Sequence, residues 1–184
     1  CWRRLFQPLG ANSLSYRLPE RLEALAVTPK PDKLPVPFDY RWLGHPGVGA
    51  FGRTIDALKI IQLHINGGAW NGRILLKPET LTEMHTRQFD KQIAEAEKEG
   101  RKPSFEFTGL GLGQRGTTTS SWSGFGSRVS DRAFGHAGIG TVMGIGDPVS
   151  GLALMFITTD EPKKGKDVVA IRNGVTDRLA AALL

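Results

Sequence analysis

The chain reads as α+β, an antiparallel sheet flanked by helices. Up to about residue 104 it is mostly helical and loop, with apolar residues at helical spacing. From residue 105 to residue 184 the period shortens to that of strands, and a final helical stretch closes the chain. The 184 residues fit one domain or a large part of one, and no internal repeat is visible.

Each element has its own warrant. Trp2, Leu5, Phe6 and Leu9 recur as on the end of a helix, which Pro8 and Gly10 close. That helix has no visible beginning, and residue 1 is not a methionine, so the chain is expected to start within a domain. Pro29, Pro31, Pro35, Pro37 and Pro46 predict an extended loop over residues 27–46. A helix from about Thr54 to Asn66 follows, with Thr54 as N-cap and Asp56 favouring the positive helix end. Ile55, Leu58, Ile61 and Ile65 are its expected buried stripe, and Gly67-Gly68 its stop. Pro78 opens a second short helix with Leu81 and Met84 on its apolar face. Residues 90–103 read as a solvated helical excursion.

The strand-like half runs through Phe105–Arg115, Ala133–Ala137 and Thr141–Gly146. Residues 116–130, rich in Gly, Ser and Thr, read as a loop. Asp147-Pro148-Val149-Ser150-Gly151 is a turn, and Leu152–Thr158, apolar on both faces, reads as a central strand. The closing helix, Asp167–Leu184, is expected to bury Val168, Ile171, Val175, Leu179 and Ala182.

Composition removes several function classes. No apolar run is long enough to span a membrane, and no signal peptide opens the chain. Cys1 is the only cysteine, so neither an intrachain disulfide nor a cysteine metal site can form. The net charge of +6 is spread, apart from Lys163, Lys164 and Lys166, and lacks the interleaved aromatics of a single-strand binder, so no nucleic-acid partner is expected. Gly47/Gly49/Gly52 and Gly111/Gly113/Gly116 spell a dinucleotide fingerprint by letters alone. The first follows a proline-rich loop and has no acid at the right distance, and the second sits within or at the end of a strand and leads into a loop, so neither has the strand-to-helix setting that phosphate binding needs. No cofactor is implied. The compartment stays open.

No two of the histidines His45, His64, His85 and His136 have zinc-site spacing. His64 flanks an apolar stripe and reads as packed. His85 ends a short helix, where a cation suits the dipole. His136 differs, because Gly135, Gly138 and Gly140 surround it. Small residues let backbone N–H groups approach an anion, and an imidazole beside such donors suits acyl transfer. The same residues also fit a strand histidine bonded to its neighbours. No Gly-x-Ser-x-Gly elbow occurs, and Ser123 and Ser127 lie in a loop.

Four blocks in order resemble the serine β-lactamase and penicillin-binding-protein-like superfamily, closest to its class C-like branch of esterases. They are Gly47–Asp56; Asn66-Gly67-Gly68 with Gly72–Thr80; Gly109-Leu110-Gly111-Leu112-Gly113; and His136-Ala137-Gly138-Ile139-Gly140 with Asp147-Pro148 and Gly151–Ile157. Phe6-Gln7-Pro8-Leu9-Gly10 resembles a further landmark. The resemblance implies a β-lactamase/transpeptidase-like sheet, incomplete on its N-terminal side, and makes residues 1–184 the C-terminal portion of one domain. It also implies a Ser-x-x-Lys nucleophile and a Tyr-x-Asn motif, neither of which occurs here: Tyr16 and Tyr40 are followed two positions on by Leu18 and Trp42. Both motifs normally precede the Pro-Leu-Gly landmark, so they are expected upstream of Cys1.

The resemblance assigns His136 to the catalytic wall and the Ile139 backbone N–H to an oxyanion donor. Ala137, Gly138 and Gly140 become substrate-binding positions. Ala137 lacks the hydroxyl that would hold a substrate carboxylate, which points to a small-molecule ester or amide. The expected function is an acyl-serine hydrolase whose nucleophile lies outside this chain, with the chain alone inactive. The alternative is a non-catalytic binding protein that keeps the fold. In the family's layout the 152–158 strand pairs with an N-terminal strand missing here, so self-association through an open edge is expected.

Overall fold

The computed structural model describes residues 1–26, 49–101, 109–116, 124–138, 142–158 and 165–183. The proline-rich loop, the lysine cluster at 163 and 164, and residues 105–108 of the first expected strand lie outside them. Helices α1 (Thr54–Ile65), α2 (Pro78–His85), α3 (Asp90–Lys98) and α4 (Gly165–Ala181) accompany two antiparallel sheets. Strands β1 (Ala69–Trp70) and β2 (Arg73–Ile74) form a hairpin absent from the sequence-based expectations. Its signal was Asn71-Gly72, whose φ angles of 47° and 74° suit a primed two-residue turn. The main sheet runs in the order β3 (Gly113–Gln114), β4 (Phe134–Gly138), β5 (Val142–Asp147), β6 (Leu152–Ile157). The expected α+β class, an antiparallel sheet flanked by helices, is the fold observed.

Register decides what lies on each face. Gly135, Ala137, Met143, Ile145, Leu154 and Phe156 fall on one side, where Ala180 and Val175 of α4 close a core with Phe125 and Val129. Phe134, His136, Gly144, Gly146 and Met155 fall on the other. A side chain at Gly144 would meet Ile61 at 3.2 Å, so α1 covers that face. At Gly146 even a Cβ would lie 2.4 Å from the Phe134 ring, so only glycine lets the ring lie across β5.

Several expectations need correction. Residues 2–10 hold one π-helical turn, Trp2–Phe6, and then a tight turn. Phe6, Leu9, Ala11 and Leu14 pack with Leu63, Ala57 and Ile60, so α1 is gripped from two sides. Its buried positions are therefore Asp56, Ile61 and Leu63, while Ile55 is 57% exposed. Thr54 is the first helical residue and not the cap, and Arg53 occupies the cap position without a side-chain capping hydrogen bond. Ser13 does the work of a cap from a distant segment, its Oγ accepting from Arg53 N at 2.9 Å and donating to Asp56 at 2.6 Å. The 105–115 expectation shrinks to the two residues of β3 among those described. β6 is an edge strand of the described sheet and not a central one.

The face of α4 is also rotated from expectation. Arg172, Thr176 and Ala180 are buried, while Ile171 and Leu179 are 45% and 42% exposed. Polar bonding sets this orientation. Thr176 Oγ1 donates to Gly124 O at 2.5 Å, Asn173 Oδ1 accepts from Gly124 N and Gly126 N, and Asp177 accepts from Ser127 N and Arg128 N. The helix thus holds the segment that leads into β4.

Asp56 is fully buried and accepts from Ser13 N and Oγ, Lys59 Nζ at 2.8 Å and Arg53 Nη2 at 3.3 Å. Burial by itself would raise its pKa, but the bonds from Lys59, Ser13 and Arg53 together hold it far below the usual carboxylate range. Asp56→Ala removes the acceptor that Ser13, Lys59 and Arg53 share and should lower the unfolding free energy in urea by about 3 kcal/mol. Arg53→Ala, at a side chain that is 71% exposed, should cost less than about 1 kcal/mol in the same measurement.

Candidate active site

The candidate site stands on β4. Gln114 and Gly113 of β3 pair with Phe134 and Gly135, and β5 pairs along the whole strand to Gly138↔Val142. The chain reaches β4 through a braced turn. Asp147, 1% exposed, accepts from Ser130 N at 3.0 Å, Ser130 Oγ at 2.5 Å, Val149 N at 3.0 Å and Ser150 Oγ at 2.9 Å. Burial would raise this carboxyl, yet the Ser130, Val149 and Ser150 bonds hold its pKa below the ordinary value. One buried anion therefore ties the β5–β6 turn to the lead-in of β4. The expected turn at 147–151 is present, closed by Gly151 N donating to Asp147 O at 2.9 Å.

His136 lies opposite Gly144 on the α1 side of the sheet and is exposed. Partial burial of its ring lowers its pKa from the ordinary value, opposed by a hydrogen bond with the Ala137 backbone. A neutral imidazole at neutral pH can accept a proton or donate one, as acyl transfer requires. Ala137 lies opposite Met143, with its methyl against the α4-side core. Any contact of Ala137 with a ligand would therefore go through its backbone. Gly138 ends the strand, where a Cβ would meet nothing within 4 Å. Ile139 and Gly140 lie outside the described residues, as do Ser123 and Tyr40.

The described serines are structurally engaged. Ser13 bonds Asp56, Ser15 donates to Arg17 O, Ser127 bonds Asp177, and Ser130 and Ser150 bond Asp147. Among the described residues no group of three metal-ligating side chains forms, and no helix is long and apolar enough to cross a membrane.

Two features of the site's surroundings escaped the sequence. Arg172, 5% exposed, projects from α4 to the far end of β4, where its Nη2 donates to Gly138 O at 3.2 Å and Val142 O at 3.3 Å. Burial lowers its pKa, and among the described residues its Nε finds no hydrogen-bond partner and no carboxylate pairs with it. Its signal was the four-residue spacing to Thr176, which put two polar groups on the inner face of the helix. The second is a pair of histidines. His64 Nδ1 lies 2.9 Å from His85 Nε2, with both rings against Phe134. Burial and the neighbouring His85 pull His64 down to about 4, and burial and Arg132 lower His85. His64 is packed as expected. His85 ends α2 but is a neutral hydrogen-bonding partner, because burial there outweighs the attraction of the helix end for a cation.

No protein-family model matches the chain, and no curated protein matches it. Solved structures do. A β-lactamase from Mycobacterium bovis aligns over 98% of this chain and 54% of its own, at 19% identity and a TM-score of 0.60. A penicillin-binding-protein homologue from Caulobacter crescentus aligns over 98% and 50%, at 18% identity and 0.64. A mutant of simvastatin synthase from Aspergillus terreus aligns over 98% and 48%, at 16% identity and 0.66. The helix-flanked antiparallel sheet is thus a fold that this chain shares with these structures. In particular, the likeness is one of fold, to a β-lactamase, a penicillin-binding-protein homologue and a simvastatin synthase. The chain spans about half the length of these structures, consistent with a C-terminal part of that fold.

Arg172→Met keeps bulk but removes both donors at the end of β4. Amide hydrogen exchange in peptides covering 138–142 should quicken at least about tenfold, while global stability changes by less than about 2 kcal/mol, because losing the buried charge offsets the lost bonds.

Proposed function

We propose that this chain is the C-terminal portion, over residues 1–184, of a serine hydrolase domain that cleaves an ester or amide through an acyl-serine. The nucleophile would come from sequence preceding Cys1. The observation that carries this reading is the placement of His136 and Gly138 on the α1 face of β4, in a fold shared with a β-lactamase and a penicillin-binding-protein homologue. His136 would accept or relay a proton at the site wall, and the Ile139 N–H would donate to the oxyanion of the tetrahedral intermediate. Gly138 and Gly140 would let the substrate approach the backbone. Ala137 would contribute its backbone alone, because its methyl lies against the α4-side core. Attack by the serine oxygen forms the acyl-serine and releases the alcohol or amine with the relayed proton. Water then cleaves the acyl bond and restores the serine.

The engagement of each described serine with a carboxylate or backbone group supports a nucleophile other than these five. Incubated with a p-nitrophenyl ester, the chain alone should give background hydrolysis only, with no serine labelled by a fluorophosphonate. Clear turnover with a labelled serine would overturn the placement of the nucleophile. The same engagement fits a second reading, a binding protein that keeps the fold without the chemistry. Sequence upstream of Cys1 separates the two: a Ser-x-x-Lys motif there supports the hydrolase, and its absence supports the binder.

We also propose that the isolated chain self-associates through β6. This strand is the last in the described sheet, and its Ile157 is 45% exposed. Sedimentation velocity should show concentration-dependent oligomers. A monodisperse monomer over a hundredfold concentration range would contradict that.

A further inference from the structure

The His64–His85 pair sits where three elements meet. His64 lies in the last turn of α1, His85 is the last residue of α2, and Phe134 is the first residue of β4. The ring planes differ by 24° and the centroids are 5.2 Å apart, the spacing of two imidazoles joined edge to edge. At 2.9 Å the facing nitrogens share a hydrogen bond, so one ring carries the bridging proton and the other accepts it. Both rings lie on Phe134, at 5.5 and 4.3 Å between centroids, and Phe134 is fully buried.

Proton counting gives this arrangement a consequence. In the neutral pair the donor ring has a bare outer nitrogen. A first added proton can go there, which leaves an imidazolium still donating to its neighbour. A second must go on the accepting nitrogen of the bridge. Two N–H groups then face each other with no acceptor between them, and two positive charges share a poorly solvated space. The groups that act on the pair make this worse. Across α1 and α2 each ring faces the other, and from the lead-in to β4 the Arg132 cation acts on His85. On β5 the residue under the Phe134 ring is Gly146, which carries no charge.

We infer that the His64–His85 pair is an acid-sensitive clasp, which holds the ends of α1 and α2 to the start of β4 while one bridging proton is shared and opens when both rings become cations. His136 lies two residues further along β4 on the same face, so opening loosens the base of the strand that carries it. The inference stands on the pair's geometry and does not depend on the hydrolase reading.

The direction of the pH effect follows from linkage. Both rings are held below their ordinary pKa, so the unfolded chain binds more protons than the folded one between about pH 6.5 and the lowered values. The stabilisation is present above pH 6.5 and is lost as pH falls toward 4. Asp56 and Asp147 are held low and stay ionised through this window.

Urea unfolding of the full chain at pH 7.0 and pH 5.0 tests the clasp. The folding equilibrium constant should fall about tenfold or more between the two. In His64→Gln/His85→Gln, which cannot titrate at these positions but can still bond amide to amide, most of that loss should vanish. His136 is present in both proteins and cancels from the comparison. An equal pH dependence in the variant would overturn the proposal. Imidazole nitrogen NMR on the wild-type chain gives a second readout that needs no variant. Signals of His64 and His85 should titrate below the ordinary histidine range, and the second of the two to gain its proton should do so together with a change at Phe134. Either ring titrating near pH 6.5, with the Phe134 signals unmoved, would also overturn it.

Discussion

The α1 face of the main sheet is thin, and the site's surroundings depend on that. Gly144 and Gly146 place no side chains where Ile61 and the Phe134 ring have to lie. The Phe134 ring rests on the backbone of β5 and in turn receives His64 and His85. A methyl group at Gly146 would push the ring away, and with it the contact between β4 and the ends of two helices. The placement of His136 follows, since it shares the strand and the face with Phe134. Close packing transmits such a change because an interior of this density has no slack to absorb it.

A second set of constraints is polar and works through single buried groups that each gather several donors. Asp56 joins the 11–15 segment to α1, and Asp147 joins the β5–β6 turn to the approach to β4. Asn173, Thr176 and Asp177 bind the 124–128 segment to α4. Each such group costs desolvation and is worth keeping only when its donors are well placed, so these bonds specify geometry more than they add stability. Arg172 is the exception in kind: a buried cation whose described partners are carbonyls, set where β4 ends and β5 begins. Its two bonds fasten the end of β4 to the start of β5.

Much of the backbone around the candidate site was legible because its signals are local. The glycines around His136 and the turn at Asp147-Pro148 announce a tight strand pair, and the helices at Thr54, Pro78 and Asp90 follow from period and stop signals. Facing was harder to read. Ile55, Ile171 and Leu179 look like core on a helical wheel and are exposed, while Asp56, Arg172 and Thr176 look like surface and are buried. Apolar periodicity predicts the inner face only when one partner covers a helix and that partner is apolar. Here α1 has two partners, and α4 is oriented by hydrogen bonds.

By itself the sequence determined the α+β class, the order of the helices and main-sheet strands and the presence of a histidine in a glycine frame, because these rest on dihedral preference and short-range period. Only the tertiary structure decided that β6 lies at the edge of the described sheet, that Ser13 caps a helix forty residues away, and that His64 and His85 share a hydrogen bond across two helices. Those facts depend on which distant segments meet. Propensity is a property of neighbours in the chain, and the energies that choose distant partners, packing against glycine and the satisfaction of buried charge, arise only once the chain has closed on itself.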